Sequence, residues 1–494
     1  MESSVDRVFV PVNSARQALP MSPVEALTQL RTELGPIHHS TDTRKLRSKS
    51  RDRFAQSPVL RDLLRGRNAE IYIAPRDKEE LRAAVAACAR HRIPITVRGA
   101  GSGQFGQGVP LSGGAVIDVT ALAGVLGWHG DRRRQIPRTV RALTGTVVAD
   151  IDAAIRPSGW ELRMHPSTSQ QATVGGYIAG GHAGIGSCQW GILRDTGNIT
   201  ALEVMTVEEH PRLIELRGRD VNTVHHAYGA NGIITEVELP VAPAWEWHEL
   251  VISFPDFAQA ARFSVDICNS DGVLKKVVSP HAHPLPRYFP ELAGLVPDGE
   301  AMVLVMAAVQ SVPNVEDLVH ANGGRIRYRC LEGKGVYGAP LYEFTWGHSM
   351  MRYQRRNKKL LGLLALYPQE NLFESILRIH RDFADLGPLH LEMKRIDGGL
   401  SCQGSPVFEF ESQQQLATIT ARLQQAGLFI ANPHTPVLGA GGMKPWGPKE
   451  AAFKRDFDPY GLLAQGKADD VVGTDIISTS TALPNSGWSY RLSN

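Results

Sequence analysis

Residues 95–119 read ITVRGAGSGQFGQGVPLSGGAVIDV and place a glycine-crowded loop between two strand-like segments. Glycine adopts positive φ at no steric cost and has no Cβ to hold a ligand away, so consecutive backbone N–H groups can converge on one anion. Pro110, Gly113 and Gly114 interrupt the residues after the loop, which leaves no room for a helix. The segment therefore predicts a helix-free hairpin whose main-chain nitrogens bind the pyrophosphate of a dinucleotide.

Residues 101–106 also satisfy the G-x-G-x-x-G pattern, and Asp118 follows at about the distance of a ribose-binding acid. A Rossmann fold requires a helix that begins inside the loop and faces the pyrophosphate. Because no helix fits here, the Rossmann interpretation is the weaker alternative. A loop of purely structural glycines is weaker still.

Length and composition set broad limits. A chain of 494 residues exceeds the size of one hydrophobic core, so at least two domains are expected. Its 53 Lys and Arg residues nearly balance 50 Asp and Glu residues, which predicts no general attraction to nucleic acid or anionic lipid. The basic runs at residues 132–134 and 352–359 are interpreted as solvated surface, with a binding patch as the alternative.

Cysteine usage and hydropathy indicate where the protein works. The five cysteines are scattered and form no C-x-x-C pair, which predicts a reducing compartment without disulfides or structural zinc. Residues 1–20 lack the apolar segment of a secretory signal. The most apolar run, residues 301–309, is far shorter than the ~20 residues of a membrane span. We expect a soluble, cytoplasmic protein.

The pattern of the sequence divides the chain into four stretches. Residues 1–56 look like a charged extension packed on the surface, and residues 57–243 contain a βαβ unit whose helix begins at Asp77 with Glu80 as a capping partner. In residues 244–445, strand-like runs alternate with amphipathic helices, which predicts an antiparallel sheet with helices on one side. Residues 446–494 are expected to return to the second stretch as a helix and a turn.

Three local predictions concern the candidate sites. Six glycines between residues 175 and 186 are too dense for a helix interior, where each costs ~1 kcal/mol relative to Ala, and instead suggest backbone packed on a flat ligand. Residues 341–346 are expected to form a strand that leads to His348. Prolines 280, 284 and 286 suggest a surface loop around His281 and His283, where no third metal ligand is present.

Several ordered motifs carry a family resemblance: APRDKEELRAAVAACARHRIPITVRGAGSGQFGQG, TVGGYIAGGHAGIGSCQWGILRD, GANGIITEVEL and DPYGLLAQGK. On these motifs the chain resembles the vanillyl-alcohol oxidase flavoproteins, also called the PCMH-type FAD-binding family. The resemblance implies an α+β fold, in which an FAD-binding domain of two subdomains clasps the extended cofactor and a cap domain covers the isoalloxazine.

The same resemblance implies which residues contact FAD. They are Arg98, Gly99, Ala100, Gly101, Ser102, Gly103, Gln104, Gln107, Gly108, Pro166, Ser167, Thr173, Gly175, Gly176, Gly180, Gly181 and Ile233. Family members with a histidyl-linked flavin carry a histidine in the loop, where this chain has Ser102, and the stretch ahead of Thr173 lacks the cysteine of bicovalent members. FAD is therefore expected to bind noncovalently.

Catalysis in the family, as the resemblance implies, is hydride transfer from a substrate carbon to flavin N5, which calls for a base and a cation on the cap. His390, Glu392 and Lys394 alternate on one face of a strand, and Glu392-x-Lys394 is similar to the E-x-R of sugar-alcohol oxidases. A solvated strand face with an ion pair is the alternative. His348 and His434 are further candidates, and His182 could reach the flavin, although a structural role is favoured.

Together these patterns predict an FAD-linked oxidase or dehydrogenase that oxidises a CH–OH substrate, such as an alcohol, hydroxy acid or lactone, and is reoxidised by oxygen or a carrier. No metal is expected, because the H-x-x-G-D-G-N-x-H pattern of metal-using relatives is missing. The alternatives are an NADPH-linked reductase of the UDP-N-acetylenolpyruvoylglucosamine reductase type and a non-catalytic flavin-binding protein. The substrate, a covalent link from the cap and homo-oligomerisation are left open.

Overall fold

A computed structural model describes residues 23–131, 136–292 and 294–468. Residues 1–22, the basic run at 132–134 and the end of the chain after residue 468 lie outside this description. Up to residue 243 the helices are α1 (Pro23–Leu34), α2 (Thr43–Lys49), α3 (Pro58–Leu63), α4 (Lys78–Arg90), α5 (Val148–Ile155), α6 (Val174–Gly180), α7 (Ser187–Trp190) and α8 (Val221–Val224). The strands are β1 (His39–Ser40), β2 (Ile71–Ile73), β3 (Ile95–Arg98), β4 (Ala115–Asp118), β5 (Val125–Asp131), β6 (Ile136–Leu143), β7 (Trp160–Leu162), β8 (Ala201–Met205), β9 (Leu213–Arg217) and β10 (Ile233–Pro243).

The first sheet carries the glycine loop. Its strand order is β1-β2-β4-β3, and β4 runs parallel to both of its neighbours. The loop between β3 and β4 contains no helix, as the sequence predicts. The prediction of a hairpin is wrong, because the long loop crosses the end of the sheet and lets β4 enter between β2 and β3 in the same direction as β3.

Two helices cover this first sheet. Helix α4 connects β2 to β3, and its N-cap Asp77 accepts a hydrogen bond from the backbone N–H of Glu80, as the capping prediction requires. Helix α1 packs against α4 and buries Ala26, Leu30 and Leu34 in the core of the sheet. Helix α1 of the N-terminal extension is therefore part of this core.

The second sheet, β5-β6-β10-β8-β9, is antiparallel, and β7 pairs with the end of β10. Helix α6 lies against β10 and β6. The prediction that its glycines exclude a helix is wrong: Thr173 caps α6, and Gly175 occurs inside it because a Cβ there would collide with the hydroxyl of Thr144. Close packing between helix and sheet offsets the low helix propensity of glycine.

After residue 243 the chain forms the predicted sheet with helices. The helices are α9 (Phe257–Asn269), α10 (Val312–Ala321), α11 (Gly347–Arg356), α12 (Leu372–Asp382), α13 (Gln413–Gln425) and α14 (Pro448–Phe457). The strands are β11 (Trp247–Phe254), β12 (Lys275–His281), β13 (Ala301–Ala308), β14 (Arg325–Leu331), β15 (Leu360–Leu361), β16 (Leu364–Leu366), β17 (Glu392–Ile396), β18 (Gly399–Gln403), β19 (Phe408–Glu409) and β20 (Phe429–Ala431).

Two antiparallel sheets, β12-β13-β11-β14 and β17-β18-β16-β20, make up the cap. A β-bridge between His281 and His390 joins them edge to edge. Helices α9, α10, α12 and α13 contribute to one hydrophobic core with both sheets. A second core lies on the β12-β13-β11-β14 sheet and includes Phe289, Phe344 and Tyr353. The bridge places the start of β17 between the two sheets.

Two predicted elements of the cap are wrong. Residues 341–346 form a 3₁₀ turn (Leu341–Phe344) followed by α11, because the buried carboxylate of Glu249 accepts the backbone N–H of Leu341 and holds the chain in a turn. The predicted surface loop at residue 280 is the buried strand β12, and His281 is fully buried. Pro280 is tolerated at the sheet edge, where its carbonyl accepts the N–H of Leu391.

The C-terminal segment reaches back to the glycine loop. After α14, the backbone of Leu462 and Ala464 forms hydrogen bonds with Ile95 beside β3. No helix among the described residues is long and apolar enough to cross a membrane. Within the same residues, no cluster of His, Cys, Asp and Glu could hold a metal ion.

Candidate active site

A cleft of about 200 Å³ lies between the first two sheets. It is lined by most of the residues predicted to contact FAD, namely Arg98, Gly99, Ala100, Gly101, Ser102, Gly103, Gln107, Gly108, Pro166, Thr173, Gly175, Gly176, Gly180, Gly181 and Ile233. Of the other two, Gln104 lines a second pocket in the cap, and Ser167 lines neither cavity. The structure brings the set together, while the role of each residue toward FAD stays a prediction.

The glycine loop presents unused hydrogen-bond donors to this cleft. No described residue accepts a hydrogen bond from the backbone N–H groups of residues 101–104. Gly101 has φ of 69°, and a Cβ at this position would collide with the guanidinium of Arg98. A Cβ at Gly99 would collide with the hydroxyl of Thr173 across the cleft. The donors and the missing side chains fit the pyrophosphate of a dinucleotide such as FAD.

Arg98 stabilises the glycine loop through hydrogen bonds to backbone carbonyls. Its guanidinium donates to the backbone carbonyls of Lys49, Arg51 and Ala100. Burial lowers its pKa, but an arginine remains charged near neutral pH. Asp118, the apparent ribose-binding acid, instead accepts from Lys49, Tyr72 and Thr120 and is buried. Asp118, the acid of the apparent Rossmann pattern, therefore has a structural role in this chain.

Two charged residues that the sequence analysis missed secure the far side of the loop. Asp52 lines the cleft and accepts the N–H groups of Phe54 and Gly108. Lys467, fully buried, donates to the carbonyl of Gln107. Burial raises the pKa of Asp52 and lowers that of Lys467 to about 8, and each charge opposes the shift of the other. The DPYGLLAQGK motif was the available signal for Lys467.

The cap contains a pocket of about 130 Å³. The pocket adjoins the cleft at the glycine loop, where Gln104 lines the pocket while Gly103 and Gln107 line the cleft. Most of its wall is apolar and includes Phe105, Trp346, Met350, Leu361, Leu363 and Val407. Its polar members include His390, Glu392, Gln403 and His434.

Glu392 is the buried carboxylate of this pocket, with 4% of its surface exposed. Its Oε1 accepts three hydrogen bonds: from the hydroxyl of Ser279 at 3.0 Å, from Nε2 of His390 at 3.0 Å, and from the backbone N–H of Trp346. No described residue donates to Oε2. Three donors therefore hold one oxygen in place, while the second oxygen is left without a donor from the described residues.

The backbone of Trp346 is strained where it meets Glu392. Its φ of 53° and ψ of −139° are rarely adopted by a residue with a side chain and cost about 1–3 kcal/mol. This conformation ends the 3₁₀ turn, begins α11 and directs the N–H of Trp346 at the carboxylate. Strain maintained at a pocket wall is typical of a functional site.

Behind Glu392 lies a chain of buried polar groups. The Tyr353 hydroxyl lies 2.7 Å from Nδ1 of His281, whose Nε2 lies 3.0 Å from the hydroxyl of Ser279. Burial holds the pKa of His281 well below its usual range, so the ring is neutral. The ring of His281 also stacks on His390 at 4.4 Å between centroids. When the Tyr353 hydroxyl donates to Nδ1 of His281, each donor in this series of hydrogen bonds points toward Glu392.

Lys394 and His182 connect the cap to the cleft. The ammonium of Lys394 donates to Oε1 of Gln403 and to Nε2 of His182, at 3.3 Å in the second case. Burial lowers the pKa of Lys394 to about 7 and that of His182 well below its usual range. Lys394 is fully buried and does not line the pocket, so the alternative of a solvated strand face is wrong.

The two remaining candidates differ in position. His434 lines the pocket, but Nδ1 accepts from Ser57 at 2.9 Å and Nε2 lies 3.3 Å from the carbonyl of Gly362, so both nitrogens are engaged. His348 lines neither cavity, because the predicted strand is a helix, and its Nε2 has no hydrogen-bond partner among the described residues. The structure does not bring His348 together with the other three.

Comparison with known proteins agrees with the geometry of the cleft. Residues 69–210 match the FAD binding domain family. Over these residues the match confirms the resemblance to the PCMH-type FAD-binding family that the sequence indicates, and it supports FAD as the cofactor. The match ends before the cap and leaves the cap pocket unassigned.

Relatives are distant. Glycolate oxidase subunit GlcD of Bacillus subtilis is 25% identical over 216 residues, which cover 42% of this chain and 44% of the relative. D-Lactate dehydrogenase of Anaerostipes hadrus is 29% identical over 186 residues, or 35% of this chain and 37% of the relative. The chain thus matches less than half the length of these FAD-family relatives.

A solved structure extends the comparison to the whole fold. Alkyldihydroxyacetonephosphate synthase superposes with a TM-score of 0.63 over 90% of this chain and 85% of that protein, at 15% identity. This similarity confirms the α+β fold with its antiparallel sheets.

Proposed function

We propose that this protein is an FAD-dependent oxidoreductase that oxidises a CH–OH group in the cap pocket. The observation that carries the proposal is the free Oε2 of Glu392, on a buried carboxylate whose other oxygen accepts three hydrogen bonds. When bound in the cleft, FAD supplies the acceptor for the hydride that leaves the substrate carbon. The hydroxyl proton goes to Glu392, so the alcohol loses two electrons and two hydrogens and becomes a carbonyl compound.

Glu392 is the general base in this scheme. A base must lie within hydrogen-bond reach of the proton it abstracts, and Glu392 lines a pocket with space for a substrate. The backbone N–H of Trp346 and the side chains of Ser279 and His390 hold the carboxylate in place. His281 and Tyr353 act through Ser279 and are positioning residues.

Lys394 is proposed to hold two side chains in place at the boundary between the cap and the cleft. It holds Gln403, which lines the pocket, and His182, which follows Gly181 of the cleft. His434 fixes the loop of Gly362 and the start of α3 through Ser57. Neither residue is required as the proton acceptor. No role in the proposed reaction is assigned to His348.

Relatives support the type of reaction. The names glycolate oxidase, D-lactate dehydrogenase and D-2-hydroxyglutarate dehydrogenase each describe oxidation of a hydroxyl group. Because the matched stretches cover 35–44% of this chain, they favour a flavin-linked oxidation without fixing its substrate or electron acceptor. Oxygen and a soluble carrier are both open to the reoxidation step.

Reconstitution and anaerobic reduction test the proposal. The purified protein is saturated with FAD, freed of excess cofactor and mixed without oxygen with alcohols, hydroxy acids and lactones, while the absorbance near ~450 nm is followed. At least one CH–OH compound should bleach the flavin, whereas NADPH should not. Reduction by NADPH alone would instead support the reductase alternative, and FAD that no compound reduces would support a binding protein.

A further inference from the structure

The composition of the cap pocket points to its substrate class. We infer that the pocket accepts an uncharged alcohol with an apolar body and rejects α-hydroxy acids. This inference rests on the proposed function, because it names the substrate of the same site. It separates the chain from its relatives, whose names specify glycolate, lactate and 2-hydroxyglutarate.

Charge is the first argument. No lysine or arginine occurs among the described residues that line the pocket, while the carboxylate of Glu392 does line it. A substrate carboxylate would therefore meet a like charge and no lysine or arginine, while the lining residue His390 is already hydrogen-bonded to Glu392. Two carboxylates in a buried site repel each other, and a buried charge without a partner is strongly disfavoured.

Nearby cations are already engaged elsewhere. Lys394 donates to Gln403 and His182, and its lowered pKa of about 7 leaves much of it uncharged at neutral pH. Arg352 is paired with Glu291 and donates to the carbonyl of Glu343. Burial also lowers the pKa of His434 to about 4, which leaves this lining residue neutral. None of these groups is free to clamp a carboxylate.

The apolar part of the wall gives the second argument. It consists mainly of Phe105, Met350, Leu361, Leu363, Val407 and Pro433. An alkyl chain or an aromatic ring would bury apolar surface here at roughly 25 cal/mol per Å². The hydroxyl end would then lie at Glu392.

Matched probes test the inference on the FAD-loaded protein. Benzyl alcohol is compared with mandelate, and 1-hexanol with 2-hydroxyheptanoate, because each pair differs by one carboxylate on the reacting carbon. Anaerobic flavin reduction gives the rate constant at each concentration. Binding is measured separately by quenching of Trp346 fluorescence, with Trp346→Phe as the blank that identifies this signal.

The alcohol of each pair should show at least about 100-fold higher apparent second-order rate constant than its acid, since the penalty of an unpaired buried charge exceeds that of a neutral group. Acids that reduce the flavin as well as their alcohols would overturn the inference and leave the proposed function intact. If neither class reduces the flavin, the proposed function fails, and the fluorescence titration still decides: alcohol binding supports the pocket's selectivity, and equal or preferential acid binding overturns it.

A charge introduced into the wall provides a second measurement. Met350 lies on α11, lines the pocket and is close to lysine in length. Met350→Lys should narrow the preference for alcohol over acid by about tenfold, and Met350→Leu should leave it unchanged. Both variants are compared by flavin content, which shows whether they fold. An unchanged preference in a folded Met350→Lys protein would contradict the electrostatic argument.

Discussion

The hydroxyl of Ser279 lies 3.0 Å from Oε1 of Glu392, although the two residues are 113 positions apart in the chain. The contact exists because β12 and β17 meet edge to edge at the bridge between His281 and His390. It gives the carboxylate a buried donor that does not come from its own strand. The remaining oxygen of Glu392 can then face the pocket.

Removal of this donor should slow the reaction. In Ser279→Ala the carboxylate loses one buried hydrogen bond that holds it in place, a contribution of about 1 kcal/mol. Flavin reduction in the FAD-loaded variant should therefore be roughly threefold to tenfold slower than in the wild type. Ser401→Ala removes another buried serine, one that donates to the carbonyl of Tyr367. An equal loss of rate in this control would show that the effect is structural.

Small residues in the cleft should control the affinity for FAD. Gly99→Ala introduces a methyl group that collides with the Thr173 hydroxyl, and overpacking of this kind costs about 1–3 kcal/mol. FAD should therefore bind roughly 10-fold to 100-fold more weakly, as measured by titration of the apoprotein. Gly272→Ala is the control, because nothing lies within 4 Å of a Cβ at that position. Equal affinity in the two variants would count against the cleft as the cofactor site.

Lys394 should make stability depend on pH. Burial lowers its folded-state pKa to about 7, below an unfolded value of about 10.4. Between these values the unfolded chain binds more protons, so the stability of the wild type should rise with pH relative to Lys394→Met. The difference in melting temperature between the two proteins, both saturated with FAD, is measured from pH 7 to pH 10. A difference that stays flat across this pH range would contradict the lowered pKa.

Much of the fold could be predicted from sequence because its signals are local. The capped helix α4 follows from its N-cap residue Asp77 and from apolar periodicity. The glycine loop was recognisable because its backbone requirement falls on consecutive residues. The direction of β4 was not, since strand pairing depends on the path of a long loop.

The catalytic end of the pocket was only partly predictable. Alternation along one strand places His390, Glu392 and Lys394 together, but their burial depends on partners from distant segments. Strand β12, which contains Ser279 and His281, was not predicted because it also contains Pro280. A proline within a strand is read as a loop unless its edge position is known. His348 lies outside the pocket because a distant carboxylate, that of Glu249, holds the preceding residues in a turn.

The most direct test of the account compares the wild type with Glu392→Gln in anaerobic stopped-flow mixing with benzyl alcohol and 1-hexanol, with FAD content measured on both proteins. The glutamine keeps the size and most hydrogen bonds of the side chain but cannot accept the proton as a carboxylate does. We predict equal FAD binding and flavin reduction slowed by at least about 100-fold in the variant. Equal reduction rates in the two proteins would contradict the role of Glu392 and the site built around it.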